Sequence, residues 1–124
     1  MRILLVEDDT ILCSLLSKML RFEGIDSIIA SDGVAAKEVL ISGSAGQIDL
    51  ILCDVMMPNM DGYDLLKHVK QLPRYRDVPF IFTTARVSRD EELRGMMLGA
   101  KAYLKKPIEM ATLLAVIDDL KINR

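Results

Sequence analysis

Five short apolar runs, most of them ending in a polar group, alternate with segments whose apolar residues recur at helical spacing, and this alternation constrains the fold more than any other feature. The first run, Ile3-Leu4-Leu5-Val6, is followed by Leu12, Leu15, Leu16, Met19 and Leu20 on one helical face. After the turn-prone Gly24 comes Ser27-Ile28-Ile29-Ala30, and Asp32-Gly33 opens a helix that turns Ala36, Val39 and Leu40 inward. A loop rich in Gly and Ser, from Ser42 to Gly46, leads to Leu50-Ile51-Leu52-Cys53, which stops at Asp54. A helix carrying Leu65, Leu66, Val69 and Leu72 follows, then Phe80-Ile81-Phe82-Thr83 after Pro79, which is tolerated at the start of a strand. A fourth helix is predicted from about Ser88 to Leu98 with Gly99 as its stop, then a short strand Ala102-Tyr103-Leu104, and a closing helix marked by Met110, Leu113, Leu114, Ile117 and Leu120.

Strands that are apolar on both faces and separated by helices imply a parallel sheet covered on both sides and joined by right-handed crossovers. The expected fold class is therefore α/β: a doubly wound, five-stranded parallel sheet with five helices. With 124 residues, the chain is expected to form a single domain over 1–124. In such sheets the functional cleft lies beyond the carboxyl ends of the strands, where the strand order reverses. The polar residues at those ends are Glu7-Asp8-Asp9, Asp54, Thr84 and Lys105-Lys106-Pro107.

Taken singly, each has a plainer reading: Asp9 or Thr10 as a helix cap, Thr84 as a loop hydroxyl, the lysines as solvated charge. Together they are harder to explain that way. Glu7, Asp8 and Asp54 at one cleft would repel one another unless a cation neutralised them, and an all-oxygen cluster suits Mg²⁺, which commonly completes its shell with phosphate oxygens. Lys106 would add a point charge opposite the carboxylates, and Thr84 with the amides after it would donate hydrogen bonds to phosphoryl oxygens. Asp54, alone at the end of a buried central strand, is the best placed of the three to act as nucleophile toward phosphorus.

These segments, Val6-Glu7-Asp8-Asp9, Asp54-Val55-Met56-Met57-Pro58-Asn59-Met60-Asp61-Gly62, Thr84-Ala85-Arg86 and Lys106-Pro107, resemble the receiver domains of two-component response regulators, whose topology is flavodoxin-like. The resemblance implies that Asp54 accepts a phosphoryl group from a sensor histidine kinase or a histidine phosphotransfer protein. It also implies that Asp8, Asp54 and the Met56 backbone carbonyl ligate Mg²⁺, with Glu7 acting through a water. Lys106 would contact the phosphoryl oxygens, leaving Lys105 an ordinary neighbour, and the Lys106–Pro107 bond would be cis. Thr84 and Tyr103 would form a switch pair that reports phosphorylation on the surface of the fourth helix, fifth strand and fifth helix. That surface would act on a downstream protein or on an output domain not present in this chain.

The same resemblance puts Met56 and Arg86 at the two positions that govern access of water to the acyl phosphate. Neither is a good base, so the domain is expected to catalyse only its own phosphorylation and a slow autodephosphorylation. Asp61-Gly62 is expected to close a loop and start a helix. Where many winged-helix relatives carry acidic residues before the switch aromatic, this chain has Lys101-Ala102, which argues against a dimer held by those ion pairs and for a monomer or a weak dimer through apolar residues. The methionines are expected mostly at core-facing or loop positions.

Other classes fit less well. An aspartyl-phosphate phosphatase or phosphotransferase would carry a second aspartate where Met56 stands, a flavin carrier would not place Glu7-Asp8-Asp9 in its phosphate loop, and an inert receiver-like module would lack Asp54, Asp8 or Lys106. A net charge of -2 gives no basic field for nucleic acid. The apolar runs are too short to span a membrane, and Met1-Arg2-Ile3 leads directly into a strand rather than a signal segment, so the cytoplasm is the expected compartment. Cys13 and Cys53 read as small buried hydrophobes, and a lone histidine, His68, rules out a His-based metal cluster or triad. The sequence ends shortly after the last predicted helix, which fits either a stand-alone regulator or a piece of a larger one.

Overall fold

The computed structural model describes residues 1–86 and 88–122. Strands and helices alternate along it: β1 (Arg2–Val6), α1 (Thr10–Phe22), β2 (Asp26–Ala30), α2 (Gly33–Ser42), β3 (Leu50–Asp54), α3 (Gly62–Lys70), β4 (Phe80–Thr84), α4 (Arg89–Leu98), β5 (Ala102–Lys105) and α5 (Met110–Ile122). The strands form one parallel sheet in the order β2-β1-β3-β4-β5, so the winding reverses between β1 and β3.

Period-two alternation sends successive strand residues to opposite faces, and both faces are covered. Leu4, Val6, Ile51, Cys53, Phe80 and Phe82 pack with Ala36, Leu40, Leu65, Leu66 and Val69 from α2 and α3. Ile3, Leu5, Leu50, Leu52 and Ile81 pack with Leu16 and Leu20 of α1 and Leu113 and Ile117 of α5. Side-chain caps begin four helices: Asp9, Asp32, Asp61 and Ser88 each accept a hydrogen bond from the backbone N–H three residues on. Gly43 and Gly99, with positive φ, close α2 and α4.

Two expectations about faces need correction. Leu15 does not join the inward stripe of α1 but is 54% exposed, because Cys13, Leu16 and Leu20 already define the buried line and Leu15 lies a full helical step off it. β2 is not apolar on both sides in practice: it is a sheet edge, and Ile29 faces outward. Met57, Met60 and Met110 pack against the core as expected, and Met96 and Met97, exposed on α4, are exceptions.

The turn after β3 sets the position of the site. The Gly62 N–H donates to the Val55 carbonyl at 2.9 Å, folding the chain back on the strand end, and a Cβ at Gly62 would lie 2.6 Å from the Asp54 carbonyl oxygen and 2.7 Å from the Phe82 ring. Glycine is required there by space rather than by backbone angle. Gly62→Ala is therefore expected to lower the stability of the domain by about 1–3 kcal/mol through overpacking, read as a reduced urea midpoint with an unchanged slope. A midpoint equal to that of the native chain would mean that the turn yields without strain.

Candidate functional site

The register Val6↔Cys53 between β1 and β3 brings the next residues, Glu7 and Asp54, level with each other at the sheet's carboxyl edge. Both are buried, 5% and 7% exposed, while Asp8 beside them is open to solvent. Carboxylate oxygens of all three lie within 4.8 Å of one another, and among the described residues this is the one group of three candidate metal-ligating side chains so close together. Lys106, one residue beyond β5, inserts its Nζ between two of them, pairing with Glu7 Oε1 and lying 3.0 Å from Asp54 Oδ2. The Lys106–Pro107 bond is cis, as the resemblance implies.

One ammonium is shared between two buried carboxylates. Burial, the hydrogen bond with Asp54 and the repulsion of its charge push the Glu7 carboxyl up to about 7, against the opposing pull of Lys106. Burial alone would lower the Lys106 ammonium, but its contacts with Glu7 and Asp54 outweigh that and raise it. Three carboxylates with one cation leave negative charge unbalanced, and the donors are all oxygen. This set fits a hard divalent cation such as Mg²⁺.

On the other side of Asp54 an open cleft of ≈ 420 Å³ is lined by Met56, Thr84, Ala85, Arg86, Ser88, Glu91 and Lys106. The Met56 N–H donates to Asp54 Oδ1 at 3.3 Å, and its side chain is 75% exposed. The Thr84 hydroxyl, expected to face a phosphoryl group, donates instead to the Arg86 carbonyl at 2.7 Å and accepts from the Arg86 N–H at 3.2 Å. Tyr103 lies half-buried, its ring 5.1 Å from that of Phe82, and its hydroxyl donates to the Glu91 carbonyl at 2.8 Å. Burial pushes that phenol above its ordinary value. Lys105 and Arg86 are exposed, and Asp61 caps α3.

Cys13 and Cys53 are free and buried, with their thiols pushed up by burial, and Cys13 Sγ contacts the Glu7 carbonyl at 3.5 Å. His68 is half-buried on α3. Two residues near the site escape the sequence reading. Tyr63, on α3, places its hydroxyl 3.1 Å from that of Tyr103, and Gly95, on α4, leaves the room that Tyr103 fills. A glycine inside a helical segment was the signal available for the second.

Residues 3–118 match the family described as "Response regulator receiver domain". The transcriptional regulatory protein CpxR of Escherichia coli K12 is 43% identical over 116 residues, 94% of this chain and 47% of CpxR. The chain spans about half the length of the curated relatives it matches. Among solved structures, the receiver domain of Francisella response regulator 1452 superposes with a TM-score of 0.85 at 27% identity, covering 99% of this chain and 98% of that one. The receiver domain of sensor histidine kinase PA1611 from Pseudomonas aeruginosa, solved with a magnesium ion coordinated in the active site cleft, gives 0.82 at 30% identity, covering 95% and 94%.

The raised Glu7 carboxyl has a consequence for stability. The folded domain holds the Glu7 proton up to about pH 7, whereas the unfolded chain releases it near 4.5, so this group costs stability as pH rises between those values. In metal-free protein, Glu7→Gln is expected to remove that loss, gaining on the order of 1–3 kcal/mol relative to the native chain between pH 5 and pH 8. Urea unfolding of both proteins across that range checks it. A constant difference at every pH would refute the assignment.

Proposed function

The chain belongs to the response regulator receiver domain family of two-component signalling, and from that premise we propose that residues 1–124 act as one receiver domain that is switched by phosphorylation of Asp54. The observation that carries this reading is the position of the Asp54 carboxylate, held between Lys106 Nζ and the Met56 N–H at a strand end that opens on a cleft. An Asp54 oxygen forms the bond to phosphorus while the bond from phosphorus to the donor's imidazole nitrogen breaks, and the electron pair remains on the imidazole. The donor is a sensor histidine kinase or a histidine phosphotransfer protein in the cytoplasm.

Lys106 then neutralises charge on the phosphoryl oxygens, and the Thr84 hydroxyl leaves the Arg86 carbonyl to donate to one of them. Asp8, Asp54 and the Met56 carbonyl directly, and Glu7 through a water, would hold Mg²⁺, which when bound supplies charge neutralisation for the incoming group. The new dianion favours one of two packings of α4, β5 and α5, with Thr84 and Tyr103 as the switch pair, and that surface reaches a downstream protein or an output domain. This chain itself contacts no nucleic acid or membrane and stays a monomer or a weak, phosphorylation-dependent dimer. Its own chemistry is limited to gaining the phosphoryl group and losing it slowly.

Incubation with Mg²⁺ and a small phosphodonor is expected to add one phosphoryl mass to the native chain and none to Asp54→Ala or to an EDTA-treated sample. An adduct of equal yield on Asp54→Ala would remove the proposal. Met56, apolar and open to solvent beside the acceptor, offers water no anchor. Met56→Asn is expected to shorten the lifetime of the adduct several-fold, on the order of tenfold if the amide acts like a modest positioning group, followed by the decay of that mass with time. An unchanged lifetime would count against the role given to this position.

A further inference from the structure

Two tyrosines from different elements meet one carbonyl of α4. The Tyr103 hydroxyl donates to the Glu91 carbonyl at 2.8 Å, the Tyr63 hydroxyl reaches the same oxygen at 3.2 Å, and the two hydroxyl oxygens are 3.1 Å apart. Two protons are thus shared among three oxygens. The rings flank Phe82 of β4, with centroids 5.0 Å and 5.1 Å from it. From the α4 side, the Arg94 guanidinium stacks over the Tyr63 ring at 4.3 Å, which fixes Tyr63 against the same helix. Tyr103 occupies its place only because residue 95 is glycine: a Cβ there would lie 2.0 Å from the Tyr103 hydroxyl and 2.8 Å from its ring.

We propose that Tyr63 is a positioning residue that latches Tyr103 inward against α4, so that the unphosphorylated domain already holds the inward ring. The proposal rests on Tyr103 being the switch aromatic. The Glu91 residue whose carbonyl receives both tyrosines also lines the cleft beside Asp54, and the loop before α4 carries the Arg86 carbonyl that holds Thr84. With the ring already inward, the Thr84 hydroxyl is the half of the switch pair left to move, and what it releases is the start of α4.

A neutral intramolecular hydrogen bond of ordinary net strength shifts a two-state population by about fivefold. Tyr63→Phe keeps the ring and removes one hydroxyl, so it lowers the inward-to-outward ratio of Tyr103 by about that factor. The chain has three tyrosines, which makes ring-labelled tyrosine NMR on the full chain direct, and Tyr75, buried elsewhere with its hydroxyl on the Gly46 carbonyl, reports whether each variant is folded. In unphosphorylated protein the Phe82–Tyr103 ring contact is expected to be strong in the native chain and weaker in Tyr63→Phe. Gly95→Ala, which closes the space, supplies the signal of the outward ring. Equal contact intensity in the native chain and Tyr63→Phe, with Tyr75 unchanged, overturns the latch, and so does a native signal that already matches Gly95→Ala. The phosphodonor mass measurement on the same samples keeps the two readings apart: a missing adduct on the native chain defeats the role of Asp54, while the ring signals still decide the latch.

Discussion

One ammonium held between two buried carboxylates sets the terms for the rest of this molecule. Carboxylates at the mouth of a parallel sheet are costly when they are dry and close together, and Lys106 relieves that cost by pairing with both, without cancelling the rise that burial gives the Glu7 carboxyl. The arrangement requires three strand ends in step. β1 and β3 must be neighbours so that Glu7 and Asp54 stand level, β5 must deliver Lys106 across β4, and the turn after β3 must fold back without a side chain at Gly62. The sheet order and the tight turn are therefore conditions of the electrostatics as well as of the packing.

Much of this was legible in the sequence because it rests on local signals. Strand-length apolar runs that stop at Asp54 or lead into Glu7 locate both the strands and their functional ends, and Asp32, Asp61 and Ser88 announce helix starts. What was not legible depends on three-dimensional neighbours. Leu15 fits an apolar periodicity yet faces solvent, since α1 has only one narrow stripe against the sheet. Ile29 resembles a core residue until its strand proves to be an edge. The convergence of Tyr63 and Tyr103 on the Glu91 carbonyl joins residues 28 and 40 positions from Tyr63, and no local pattern encodes that meeting.

The acidic site and the aromatic site are parts of one structure. β4 carries Thr84 at its end and Phe82 two residues earlier, on the path from the cleft to the tyrosine rings. β5 carries Tyr103 and leads to Lys106 three residues later. The first turn of α4 closes the path, because Glu91 borders the cleft with one part of itself and receives the tyrosines with another. Asp54 and α4 are thus joined through two adjacent strands and one loop, a short chain of neighbouring groups.

α4 is attached differently from the other helices. Gly95 is its one fully buried residue, and Leu93, Met96 and Met97 face outward. The helix therefore gains little from the hydrophobic burial that anchors α1 and α3, and glycine within it lowers its intrinsic helicity. Beyond partly buried Leu98, its place is held by two phenolic hydroxyls and one stacked guanidinium. Elements with few buried apolar contacts are drawn from the low-stability end of a structure, so the amide hydrogens of α4 should exchange with solvent before those of the central strands.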